Sequence, residues 1–257
     1  MRSYPIVFIA IFFVSICSAQ SDELMSLYQQ GNSYYNANKF EKAIPLYTRF
    51  IEATDEPRII KRGLINRGLT YSKMKEYDKA IADFTEAIRI DSTDMASFVD
   101  RGLAFFQAQR YEEATLDFKY VMAKGSDKKM SENSLYWLAL INYQQGNPES
   151  TIAFCDQFLN SNPSDAEVIF LRASAYSLTD NLELAINDYS RIIKDYPKAY
   201  QAYANRGVAK INLLTSKGNL TPSRKETKSA CEDLRKAKEL GDNSVDDMLY
   251  IYCETGN

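Results

Sequence analysis

From Ile6 to Val14 the chain runs through nine apolar residues without a polar one, and no later stretch comes near the 18 that a membrane-spanning helix needs. Beyond that run, apolar and polar positions recur with a long period. Arg67-Gly68-Leu69-Thr70-Tyr71, followed by Tyr77, Ala80-Ile81, Phe84 and Ala87, returns as Arg101-Gly102-Leu103-Ala104-Phe105, followed by Tyr111, Ala114, Phe118 and Val121. A small residue marks the same place six times, at Gly31, Gly68, Gly102, Ala139, Ala173 and Gly207, with spacings of 37, 34, 37, 34 and 34. Helix-breaking clusters punctuate the periods at Asp91-Ser92-Thr93-Asp94, Asn160-Ser161-Asn162-Pro163 and Asp195-Tyr196-Pro197.

This pattern resembles the tetratricopeptide repeat, which places a small residue at position 8, an aromatic at 11, alanine at 20, an aromatic at 24 and often proline at 32. The fifth copy carries Ala173, Tyr176, Ala185, Tyr189 and Pro197; the fourth is looser, with Asn142, Thr151 and Cys155 at 11, 20 and 24. The resemblance implies an all-α solenoid of six helix-turn-helix repeats, near 24–57, 61–94, 95–128, 132–165, 166–199 and 200–243, with a capping helix at 245–254. In physical terms, small residues let the two helices of a hairpin approach, aromatics fill the space beside them, and stacked neighbours bury the stripes that one hairpin leaves exposed.

Arginine stands at position 7 and aspartate at position 23 in the same four repeats: Arg67 with Asp83, Arg101 with Asp117, Arg172 with Asp188, and Arg206 with Asp233. This joint occurrence predicts ion pairs within repeats, between helix A and helix B. The sixth repeat holds eleven extra residues, within a basic stretch at 213–229, and Thr221-Pro222 reads as a helix start after a long loop. Helix B of that repeat and the cap form a hairpin turning near Asp242. Cys231 and Cys253 each lie eleven residues from the turn and are expected to form a disulfide, while Cys155, at a core aromatic position, is expected to be a buried thiol.

Composition narrows the chemistry. Of 257 residues, none is histidine, which removes the commonest general base and zinc ligand; no C-x-x-C, nucleophile motif or Gly-rich phosphate loop is present. No catalytic, metal or cofactor site is expected. The formal charge of −3 argues against a nucleic-acid partner. Residues 1–19, with Arg2, the apolar run and Cys17-Ser18-Ala19, read as a secretory signal peptide preceding a mature chain of 20–257, exported to the periplasm or beyond. Lipid anchoring through Cys17 is the competing reading.

The resemblance also implies where a protein or peptide partner would lie: on the groove lined by the A helices. The candidate residues there are Tyr28, Asn32, Tyr35, Asn66, Asp100, Phe106, Asn133, Tyr136, Trp137, Tyr143, Gln144 and Phe170, with Tyr136, Trp137 and Tyr143 the densest aromatic cluster. Some members of the family clamp a carboxylate-ended peptide. Here Asn32 and Asn66 match that clamp, but Tyr28, Ala96 and Asp100 occupy its three basic positions, which removes the charge-assisted bonds. The expected function is a non-catalytic scaffold of the bacterial cell envelope. A structural subunit of an envelope complex is the alternative, and a glycan-binding protein or enzyme stands behind both. The sequence identifies no partner, oligomeric state or role for the basic insertion.

Overall fold

A computed structural model describes residues 6–124, 127–216, 218 and 221–254, with side chains from residue 21 onward. The leader assigned to 1–19 therefore lies outside the described residues, apart from the helical backbone of 6–19. Contacts divide the chain into two units, Met1–Ser131 and Glu132–Asn257. The described residues are helical and contain no strand.

In the first unit, α1 (Ile6–Asn36) pairs with α2 (Phe40–Glu52), α3 (Pro57–Lys73) with α4 (Tyr77–Ile90), and α5 (Met95–Gln107) with α6 (Tyr111–Lys124). Each hairpin also packs on the next through α2 against α3 and α4 against α5. The second unit contains most of α7 (Lys128–Gln144), then α8 (Pro148–Ser161), α9 (Ala166–Leu178), α10 (Leu182–Asp195), α11 (Tyr200–Ser216) and α12 (Arg224–Glu239). The B helices bury one stripe each. In α10 it is Leu182, Ala185, Asp188, Tyr189 and Ile192, the three-to-four spacing of a single helix face.

The small residue at position 8 faces the large one at position 24. A Cβ built on Gly31 would lie 2.7 Å from Tyr47, one on Gly68 2.8 Å from Phe84, and one on Gly207 2.8 Å from Leu234. The partner rings are buried core, with Tyr47 1% and Phe84 0% exposed, so they have nowhere to move. Gly68→Ala is expected to cost about 1–3 kcal/mol by overpacking, despite alanine's better helix propensity, and a urea melt showing no loss would contradict this contact.

Four arginines tie the helices together. Arg67 reaches both carboxylate oxygens of Asp83 at 2.9 and 2.8 Å, Arg101 those of Asp117 at 2.9 and 2.7 Å, Arg172 those of Asp188 at 2.8 and 2.9 Å, and Arg206 those of Asp233 at 2.8 and 2.6 Å. These are the within-repeat pairs that the joint occurrence predicts. Each arginine also makes a contact that the sequence reading lacks: its Nη1 donates to helix B of the preceding repeat. The acceptors are Thr48 at 3.0 Å, Thr85 at 3.2 Å, Asp156 at 2.6 Å and Ser190 at 2.9 Å. One guanidinium thus ties its own helix to two others through its planar fork.

The turns between A and B helices are uniform in the first five hairpins. Asn38, Lys75, Gln109, Gly146 and Asp180 adopt φ between 56° and 73°, and the chain then closes with a six-to-one bond, such as Glu76 N–H to Tyr71 C=O at 2.9 Å. Only one of the five is the glycine that this conformation favours.

The end of the chain differs from expectation in two places. Helix B of the sixth repeat begins at Arg224, not Thr221, because Ser223 forms a capping box with Glu226: the Glu226 N–H donates to Ser223 Oγ at 3.4 Å, and the Ser223 N–H to the Glu226 carboxylate at 2.7 Å. Helix A absorbs part of the insertion by running to Ser216; Lys217, Asn219 and Leu220 lie outside the described residues. The cap is three short pieces in place of one helix: a 3₁₀ turn (Asn243–Val245), α13 (Asp246–Leu249) and a π turn (Tyr250–Glu254). The Tyr252 carbonyl accepts from Thr227 Oγ1 at 3.2 Å, and Cys253 is disulfide-bonded to Cys231 with Cα atoms 5.7 Å apart, so the last turn is drawn onto α12. Val245 and Leu249 cover Ile211, Leu234 and Ala237.

Candidate functional site

The candidate residues of the first unit have different surroundings. Asn32 Oδ1 accepts from the buried Tyr47 hydroxyl at 2.8 Å, which makes it a support for the core. Phe106 packs on Tyr111 with ring centroids 5.7 Å apart, beside the helical turn. Tyr28 and Asn66 do meet, in a cleft of about 520 Å³ with Arg58, Lys61, Arg62, Ile65 and Asp91. The Arg62 guanidinium sits 5.7 Å from the Tyr28 ring centre, and Lys61 is held by Asp91 at 2.7 Å and Asp94 at 3.1 Å.

Asp100 is half-buried on α5. Burial, with a smaller push from the Asp94 carboxylate, raises its pKa to about 6, and its charge in turn raises that of Tyr35 after the larger effect of that phenol's own burial. The folded state therefore binds a proton that the unfolded chain releases near pH 4. Stability conferred at low pH is lost as pH rises toward 6. Asp100→Asn is expected to remove that slope and to raise stability at pH 7; parallel urea melts at pH 4.5 and 7 check both signs.

In the second unit, Tyr136 and Trp137 meet edge to face with centroids 5.3 Å apart. The Tyr136 hydroxyl donates to Glu167 at 2.5 Å; burial first, then this bond and the Glu167 and Asp165 charges, hold its pKa well above the usual phenol range. Tyr143 lines a small cleft of about 180 Å³ of mixed character, with Ser174, Ser177 and Asn205 beside Leu178, Tyr189 and Val208. The Tyr189 hydroxyl shares a hydrogen bond with Ser174 at 3.2 Å. Asn133 and Gln144 are exposed on α7.

Phe170 belongs to a larger cavity of about 680 Å³ between the start of α9, the end of α10 and the turn into α11. Ile192, Tyr196, Pro197, Ala199 and Ala202 share it with Phe170. The sequence reading misses this cavity, since Asp195-Tyr196-Pro197 reads there as punctuation.

Chemistry for catalysis is sparse. Cys155 is fully buried, and burial pushes its thiol to about 12, so it is no nucleophile at neutral pH. Among the described residues, no cluster of His, Cys, Asp or Glu is arranged to hold a metal ion, and no helix is long and apolar enough to cross a membrane.

Comparison with known proteins agrees with this architecture. Sequence profiles of the tetratricopeptide repeat match residues 25–53, 62–94, 133–165 and 167–199. The heat shock protein STI1 of Saccharomyces cerevisiae is 34% identical over 62 residues, which is 24% of this chain and 10% of that protein's length. Among solved structures, the C-terminal part of a TPR repeat-containing protein from Cytophaga hutchinsonii superposes with a TM-score of 0.69 at 16% identity, covering 86% of this chain and 83% of that one. A tetratricopeptide repeat protein from Parabacteroides merdae gives 0.57 at 20% identity, covering 89% and 84%. YrrB, described as a TPR protein with an unusual peptide-binding site, gives 0.61 at 19% identity, covering 79% and 97%.

Proposed function

We propose that this chain, which belongs to the tetratricopeptide-repeat family, is a non-catalytic scaffold of the bacterial cell envelope that holds a protein or peptide partner against its A helices. One observation carries the reading. In the second unit Tyr136, Trp137 and Phe170 are only half-buried and stand around Glu167: Tyr136 pairs with Trp137 and bonds Glu167, which shares the large cavity with Phe170. Aromatic side chains beside a concave apolar surface are the usual anchors of recognition. The envelope assignment rests on the leader-like residues 1–19 and on a cysteine pair of the kind that persists in oxidising compartments. The acidic balance disfavours a nucleic-acid partner.

Crosslinked co-purification of the full chain from the native envelope tests the proposal. Trp137→Ala with Tyr143→Ala is expected to lower recovery of the captured partner at least tenfold while the melting temperature stays within a few degrees. Equal recovery would defeat the groove, and a chain found only in the cytosolic fraction would defeat the envelope assignment. The alternative, a fixed subunit of an envelope complex, draws on exposed apolar residues elsewhere: Leu116 on α6 is 68% exposed and Tyr250 on the cap 62%. It would show as a stoichiometric, salt-resistant complex indifferent to the double substitution.

A further inference from the structure

The cavity at the α9 and α10–α11 junction combines three properties. Its floor is preformed: Ile192 and Ala202 are 5% and 1% exposed, and the Phe170 ring is held edge-on by Tyr189 at 5.5 Å between centroids. Its edge leaves apolar surface in water, with Tyr196 53% and the neighbouring Tyr200 39% exposed, and Pro197 stiffens the wall between them. Its rim is acidic on both sides. Glu167 borders it from α9 and Asp195 from the end of α10, with Asp165 beside Ala166, while Lys198 is the one cation of the lining. Asp165 and Glu167 also place their negative charge on the Tyr136 phenol, so the field reaches past the rim.

At about 680 Å³ the space exceeds what one water or ion would fill and lies in the range of sites that take an organic group. An acidic rim disfavours a carboxylate-ended or glutamate-rich chain and favours a cation. Asp195, with no ion-pair partner among the described residues, is the group positioned to receive it, since Glu167 already accepts the Tyr136 hydroxyl.

We propose that this cavity is an anchor site for an extended peptide segment that places a large apolar side chain over Phe170 and Ile192, with a neighbouring lysine or arginine paired to Asp195 on the rim. The inference rests on the scaffold reading above and adds the chemistry of the partner. In this arrangement apolar insertion supplies affinity and charge pairing supplies selection.

Fluorescein-labelled twelve-residue Gly/Ser peptides carrying a central Phe-Lys, Phe-Glu or Ser-Lys pair test it against the full chain by anisotropy, beside a random twelve-residue display library panned on the same protein. The Phe-Lys peptide is expected to bind at least tenfold tighter than the other two. It should lose at least tenfold with Ala166→Phe, which fills the cavity, and with Asp195→Lys, which reverses the rim. Asp195 is exposed, so the second variant keeps the experiment decisive if the first fails to fold. Equal binding of the three peptides, or unchanged binding by Asp195→Lys, overturns the anchor site. If panned peptides bind but ignore both variants, the anchor site falls and the scaffold reading stands; if panning returns no binder at all, the scaffold reading falls with it.

Discussion

Arg101→Met is expected to lower the unfolding free energy by about 3–5 kcal/mol, the usual consequence of stripping the counter-charge from a buried ion. Asp117 is 4% exposed, and its hydrogen bonds run to Arg101 alone among the described residues. Methionine keeps the apolar stem but leaves that carboxylate bare in the core, and it also frees the Thr85 hydroxyl on the preceding hairpin. A companion substitution calibrates the effect. Arg172→Met should cost less, because Asp188 retains Arg191 at 3.4 Å. The double variant Arg101→Met with Asp117→Leu should recover most of the loss, since an apolar pair of similar bulk often replaces a buried ion pair without penalty. Urea unfolding followed by far-ultraviolet circular dichroism reads all three. A loss below about 1 kcal/mol for Arg101→Met would place this pair with exposed surface bridges, despite its burial.

The second large effect concerns the cysteines. Opening the Cys231–Cys253 bridge, by reductant or by serine at both positions, is expected to remove about 3 kcal/mol, the entropy of closing a loop of 22 residues. The effect should be local. Val245 and Leu249 rest on Ile211, Leu234 and Ala237, and without the bridge the cap keeps only this patch and a few bonds such as Thr227 to the Tyr252 carbonyl. Hydrogen exchange should therefore quicken after residue 242 while the first unit keeps its protection. The uncovered face of the final hairpin should favour self-association. Unchanged exchange in the cap after reduction would mean that packing alone holds it.

The hairpins were legible because a 34-residue recurrence of small and aromatic positions has one structural solution, and Gly68 against Phe84 shows the physical reason for it. The Arg–Asp pairs were legible from joint occurrence. The third arm of each arginine has a signal of the same kind: position 25 is Thr48, Thr85, Asp156 or Ser190 in each repeat that precedes an arginine, whereas Lys119 precedes a repeat with Leu138 in the arginine's place. The left-handed turns left almost no trace, since Asn38, Lys75, Gln109 and Asp180 bear the strain that a glycine would advertise. The groove was the least legible part. Whether an A-helix residue faces solvent or a neighbour depends on packing that periodicity does not encode. Asn32 bonds Tyr47, while the turn residues Tyr196 and Pro197 border a cavity.

The reach of the arginines sets a rule for rearranging this chain. The hairpin is the module in covalent terms, but the guanidinium reads the hairpin before it, so the electrostatic module begins half a hairpin earlier, in a B helix. A duplication or graft cut at the hairpin boundary carries each arginine away from its acceptor. Set behind a helix with lysine at the contact position, as in Lys119, it would meet a like charge where it now finds Thr48 or Ser190. Segments excised from the start of one B helix to the start of another keep donor and acceptor together. Order along the chain is thus written into the contacts between neighbouring hairpins, and hairpins of similar shape are not interchangeable.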